Sequence, residues 1–187
     1  MRYWWVNQNQ TYPHESRAAI SSRPSATLNK ARNPFYESMR EVAPGDIIFS
    51  FRDTRIAALG IARSYCYESP KPTEFGAAGS YWEAIGWKID VSFRELTNRI
   101  HPKSHIGELR GLQPEKYSPL RANGDGLQSV YLVEVGRPFA AALFRLIGGE
   151  ANEVADRSRL RGRPSPICTS HGSAGTNFLR RSIGWPN

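Results

Sequence analysis

Apolar and polar positions change their period several times along the chain. Tyr3-Trp4-Trp5-Val6 is a short β-prone run closed by the polar cluster Asn7-Gln8-Asn9-Gln10-Thr11, which predicts a first strand entering a loop. Residues 13–33 carry Pro, Ser, Arg and Asn without a clean period and read as a long connection. Asn33-Pro34 then supplies an N-cap and a first-turn proline. Phe35, Met39 and Val42 follow at helical spacing until Pro44-Gly45, predicting a helix over 34–42. Asp46 to Phe51 and Ile56 to Ala62 are two strand-like runs around the charged turn Arg52-Asp53-Thr54-Arg55, a hairpin.

The stretch 64–81, rich in Ser, Pro, Gly and Tyr, reads as loop. Trp87, Ile89, Val91 and Phe93 alternate with Lys88, Asp90 and Ser92 in period two, the clearest half-buried strand of the sequence, with Trp87 expected in the core. A short helix is expected near 105–112. A turn at Asn123-Gly124-Asp125-Gly126 leads to a last strand over 129–135, and Pro138 opens a final helix that Gly148-Gly149 closes. Strands outnumber helices and lack regular β-α alternation. The expected class is therefore α+β, a small mixed or antiparallel β-barrel flanked by helices. The domain is expected to span 1–149, with 150–187 a basic, flexible tail.

Charge changes what this fold is expected to do. The 187 residues hold 25 Lys+Arg against 17 Asp+Glu, giving +8 and a pI near 9.8, so a polyanionic partner, nucleic acid first, is implied. Residues 151–187 alone carry six Arg against two acids. The long connection adds Arg17, Arg23, Lys30 and Arg32 as candidate contacts to the nucleic-acid backbone. Two cysteines, Cys66 and Cys168, with no metal-ligand spacing around either, argue against a disulfide scaffold and a structural zinc. No signal peptide or membrane-length apolar run is read, so a cytoplasmic protein without membrane contact is expected.

Catalytic signatures are missing. His101 and His105 stand at i, i+4, but Pro102 lies between them and no acid is placed as a general base. No nucleophile elbow or phosphate-cradling glycine loop occurs, and Asp46, Asp53, Asp90 and Asp125 are scattered over separate elements. No catalytic residue, metal ligand or cofactor is assigned. The positive signal is aromatic: Tyr3-Trp4-Trp5, Tyr65 with Tyr67, and Tyr81-Trp82 with Trp87. A pocket for a flipped or unpaired base stacks it on such rings and reads its polar edge with amides or hydroxyls. Asn7, Gln8 and Asn9 suit that edge, and Trp82, in a Gly/Ser-rich loop, is the ring least expected to be buried.

Several ordered blocks carry a resemblance. Residues 3–11, the run from Ala31 through Phe51, Gly86-Trp87-Lys88-Ile89-Asp90-Val91, Tyr117-Ser118-Pro119-Leu120 and the run from Asn123 to Leu132 resemble the N-terminal EVE domain of bacterial EVE–HNH modification-dependent restriction endonucleases. The resemblance implies a PUA-like barrel, kin to the YTH readers of methylated RNA. Its pocket would take a flipped modified base, a modified cytosine such as 5-methylcytosine in DNA. It places the polar pocket edge at Asn7, Gln8 and Asn9 and aromatic walls near Trp5 and Trp82. Two departures stand out: the loop at 17–24 lacks the aromatics such proteins tend to carry, and residues 150–187 lack the HNH histidine and asparagine pattern, holding only His171. The expectation is a modified-base-binding DNA module. The alternatives are a complete or remnant HNH endonuclease, with a divalent metal only if a nuclease domain is present, and an RNA-binding PUA-type accessory protein.

Overall fold

The computed structural model describes residues 1–8, 19–22, 37–70, 85–127 and 129–161. The strands are β1 (Tyr3–Asn7), β2 (Ala19–Ser22), β3 (Ile47–Arg52), β4 (Arg55–Ala62), β5 (Tyr67–Pro70), β6 (Ile85–Ile100) and β7 (Leu132–Val135). The helices are α1 (Ile106–Leu109), α2 (Arg137–Ile147) and α3 (Gly149–Arg161), with single 3-10 turns at Ser38–Glu41, Pro102–His105 and Arg110–Leu112. One mixed sheet runs β2-β6-β4-β3-β1-β7, with β5 paired to β6 beyond the end of β4. The pairing of β1 with β3 is parallel, Tyr3 against Ile47 through Asn7 against Phe51, and its other described neighbours are antiparallel. This is the expected α+β class, a curled mixed sheet with helices outside it, here open as half a barrel.

Both faces of the sheet are buried, by different means. On the convex face, Trp5, Phe49, Phe51, Leu59, Leu96 and Val133 pack under Leu109 of α1, Phe139, Leu143 and Ile147 of α2, and Ala151 and Val154 of α3. On the concave face, Trp4, Val6, Ile48, Ala62, Ile89, Val91, Leu132 and Ile20 meet one another and Met39 and Val42. Those residues come from six strands, so the sheet closes on itself there. Gly60 makes that closure possible, because a Cβ on it would sit 2.5 Å from Val91 Cγ1 and 2.8 Å from the Phe93 ring.

Asp46 ties the start of β3 to β1. Its buried carboxylate accepts hydrogen bonds from the Trp4 indole Nε1 (3.0 Å) and from the backbone N–H groups of Arg2 (2.7 Å) and Ala43 (3.0 Å). Arg2, with its guanidinium carbon 4.8 Å from the Trp4 ring centroid, reaches Glu41 at 2.8 Å and Glu134 of β7.

Several expectations meet the structure with changes. The first strand, the β3–β4 hairpin, the turns near 102–112 and the helix opened by Pro138 are found. Of the helix expected over 34–42, the described part is the helical Glu37 running into one 3-10 turn, Ser38–Glu41, which buries Met39 and is followed by buried Val42; residues 34–36 lie outside the described residues. The expected loop over 64–81 contains β5, and the last strand is shortened to four residues. The alternating strand extends to 16 residues because its buried side changes: Ile89 and Val91 face the concave core, whereas Leu96 and Ile100 face the convex one. The register against β4 slips within the second half, Ala58 facing Glu95 and Ile56 facing Ile100. The boundary expected at Gly149 falls at the α2–α3 junction, where Gly148 takes a φ of +84°. Beyond it, α3 buries Ala151, Val154, Ala155 and Ser158, so the packed body reaches into 150–161. Among the described residues no helix is long and apolar enough to cross a membrane.

Candidate nucleic-acid interface

The exit of β1 holds three of the five residues expected to form a base pocket. Trp5 is 1% exposed, its indole stacked on Phe51 at 4.9 Å between centroids and tilted against Phe139 at 6.2 Å. Asn7 is half-buried: its backbone N–H donates to Tyr131 O (2.8 Å) and its Nδ2 to Leu127 O (3.3 Å). Gln8 is fully buried. Its backbone N–H extends the ladder to Phe51 O (2.9 Å), and its Oε1 accepts from Ser50 Oγ at 2.6 Å.

Strand alternation divides these residues between the two faces. Trp5 and Asn7 share the convex side, where Trp5 belongs to the helix-covered core. Gln8 follows Trp4 and Val6 onto the concave side, and its bond to Ser50, the neighbour of Ile48 on that side, agrees. The structure therefore brings Trp5 and Gln8 close in chain but not into one cavity wall. Asn9 and Trp82, and the backbone candidates Arg17, Arg23, Lys30 and Arg32, lie outside the described residues.

The concave side also carries rings that are only partly buried. Trp87, expected in the core, is half-buried, as are Phe93 and Tyr131, all packed against the edge of the concave cluster. The Arg40 guanidinium carbon lies 5.6 Å from the Trp87 ring centroid. Nearby, Tyr65 and Tyr67 are 68% and 40% exposed, and the Tyr67 hydroxyl donates to Asp90 Oδ1 at 3.0 Å, with Lys88 Nζ 4.0 Å from the same oxygen. Burial, and then the bond to Asp90, raise the Tyr67 pKa above the usual tyrosine range. Burial raises the pKa of the half-buried Cys66 thiol, with the positive charge of Arg40 opposing the rise. Trp87 was legible as a strand residue; that it is only half-buried was not, because the same alternation describes either outcome.

A face that buries an amide–hydroxyl pair and carries half-buried rings offers the group types that hold a planar, hydrogen-bonding ligand, although Ser50 lies level with Glu95, eight residues along β6 from Trp87. Among the described residues no group of three or more His, Cys, Asp and Glu could hold a metal ion. His101 turns its Nδ1 to Ser104 Oγ at 3.2 Å.

No family model matches the chain, and no curated protein does. Solved structures do. A structural-genomics protein of Pseudomonas putida superposes with a TM-score of 0.50 at 14% identity, over 78% of this chain and 99% of that one. A protein of Rhodopseudomonas palustris gives 0.48 at 14%, over 78% and 92%. The YTH domain of the Zygosaccharomyces rouxii MRB1 protein, solved in complex with N6-methyladenosine RNA, gives 0.43 at 13%, over 78% and 86%. At these identities the likeness concerns the path of the chain, and the first of them shows the fold shared with the Pseudomonas protein.

Proposed function

We propose that the chain is a nucleic-acid-binding module that takes a modified base, turned out of its strand, into the open end of the concave face. The observation that carries this reading is the set of half-buried rings Trp87, Phe93 and Tyr131 on the side that buries the Gln8–Ser50 hydrogen bond. Rings supply a sequence-tolerant stacking surface worth about 1–3 kcal/mol per base, and fixed amide and hydroxyl groups read a base edge. The blocks that resemble EVE domains favour a modified cytosine such as 5-methylcytosine in DNA, and the role of a specificity domain in a restriction-type HNH endonuclease. The net charge of +8 supplies the attraction to phosphate that such binding uses.

The test is a fluorescence-anisotropy titration of one labelled duplex with and without 5-methylcytosine, beside a methylated RNA of the same sequence. Preferential binding of the methylated duplex is expected, and Trp87→Ala should reduce that preference more than it reduces affinity for the plain duplex. Equal affinity for methylated and plain DNA overturns base reading, and preference for the methylated RNA replaces DNA with RNA as the substrate.

A further inference from the structure

At the opposite end of β1 an open groove of about 560 Å³ lies on the helical side of the molecule. Tyr3, Arg137 and Phe144 line it together with Arg145, Asn152 and Arg159, so three guanidinium groups from α2 and α3 surround one space. Among the described residues, none that lines it carries a carboxylate. Tyr3 and Phe144 meet edge to face at 5.8 Å and give it an apolar floor. Arg137 is exposed and makes no ion pair among the described residues. Arg145 pairs with Glu108, and Arg159 lies 3.6 Å from Asp156, both at the surface. Exposed pairs of this kind are worth little, so a stronger anion displaces them at small cost.

The geometry points to this groove as a second contact surface that grips the phosphodiester backbone of a bound nucleic acid. Guanidinium groups match phosphate oxygens in a planar, bidentate way, and an apolar floor beside them suits a sugar. A lining whose charges are all positive excludes a cation or a purely apolar ligand. An acidic peptide is the rival occupant, but it lacks the sugar that the Tyr3–Phe144 floor would pack. The groove faces away from the concave rings, and Tyr3 is about 13 Å along the strand from Asn7 at roughly 3.3 Å per residue. It rests on the nucleic-acid reading above and is independent of the modified base.

The experiment compares the wild-type chain, Arg137→Ala/Arg159→Ala and the control pair Lys116→Ala/Arg121→Ala, exposed residues away from the groove. Each is titrated with plain DNA duplex, methylated duplex and RNA at several salt concentrations, with polyglutamate and inorganic pyrophosphate as competitors. The groove variant should weaken binding of plain and methylated duplex equally and lower the slope of log K against log salt by about 1.8, roughly 0.9 for each phosphate no longer neutralised. Arg137→Lys/Arg159→Lys should restore most of the slope and, with matching thermal melts, show that the fold is intact. A slope unchanged in the groove variant, or lowered as much by the control pair, overturns the proposal. Displacement of duplex by polyglutamate through the groove arginines assigns the groove to an acidic peptide, and displacement by pyrophosphate at equal strength assigns it to a small anion; either overturns it. Failure of the wild type to bind any nucleic acid overturns both readings, whereas binding without methyl preference removes base reading alone.

Discussion

The convex and concave faces of the sheet are buried to similar depth at their centres and differently at their rims. On the convex face three helices lie over the strands, and rings such as Trp5, Phe49 and Phe139 reach 0–1% exposure. On the concave face, among the described residues, the strands meet one another and the segment carrying Met39 and Val42. Curvature can close the middle, where Trp4, Val6, Ile89 and Val91 meet, but leaves Trp87, Phe93 and Tyr131 half-buried at the edge. A sheet that buries one side under helices and the other under its own curl thus puts stability on the first and an open aromatic rim on the second. Large side chains should then have separable effects depending on the face they point to.

The largest expected effect tests that separation. Trp5→Ala removes a ring stacked on Phe51 and packed against Phe139, and should destabilise the chain by about 3–5 kcal/mol, measured by urea unfolding. Trp87→Ala, at the half-buried rim, should cost well under half of that in the same measurement. Equal losses from the two substitutions would break the comparison, because the concave rim would then be structural core.

A smaller effect is expected at the seam between the faces. Asp46→Ala leaves the Trp4 indole N–H and the backbone N–H groups of Arg2 and Ala43 without their shared acceptor. Leaving buried donors unsatisfied costs about 1–3 kcal/mol for such a group. The expected outcome is a loss of about 2–4 kcal/mol in urea unfolding, with less lost in Asp46→Asn, which keeps one acceptor oxygen. A neutral Asp46→Ala would show that the indole and the two amides find water instead, and that the seam is wetter than its 2% exposure implies.

How much of this was legible in the sequence follows from where local pattern and tertiary burial agree. The β3–β4 hairpin and α2 were readable because the turn residues Asp53 and Thr54 and the opening Pro138 sit beside clean apolar runs. Asp53 and Thr54 do adopt the positive φ values, 48° and 64°, that a tight hairpin turn requires. The second half of β6 was not readable, because its buried side changes between Phe93 and Leu96 and the alternation breaks there. β5 has no pattern of its own and exists through pairing with β6. α3 was hidden by its arginines: its buried stripe is Ala151, Val154, Ala155 and Ser158, small residues at helical spacing that weigh little against the surrounding charge. At the candidate site the sequence located the polar exit of β1. It could not divide Trp5 from Gln8, since every residue from Tyr3 to Val6 is apolar and such a run does not say which side is which.

The smallest expected effect concerns Cys66, whose half-buried sulfur packs against the concave cluster. Burial favours the neutral thiol, so its pKa in the folded chain stands above the unfolded value, and Arg40 limits the rise by favouring the thiolate. The sign for stability follows: this contribution is present below the unfolded thiol pKa and is lost as pH climbs through the higher folded value. In a Cys168→Ser background, the pH profile of iodoacetamide labelling should have its inflection above that of a free cysteine. Arg40→Ala should move the inflection further up, because the charge that favours the thiolate is gone, whereas Arg40→Lys should hold it. An inflection below the ordinary thiol range would mean that charge outweighs burial at this rim. If the concave edge is where a base docks, saturating methylated duplex should also slow labelling of Cys66, and the same duplex should lose that effect in Trp87→Ala. Protection that survives Trp87→Ala would place the nucleic acid over Cys66 without the ring, and the rim would then be a path for the backbone.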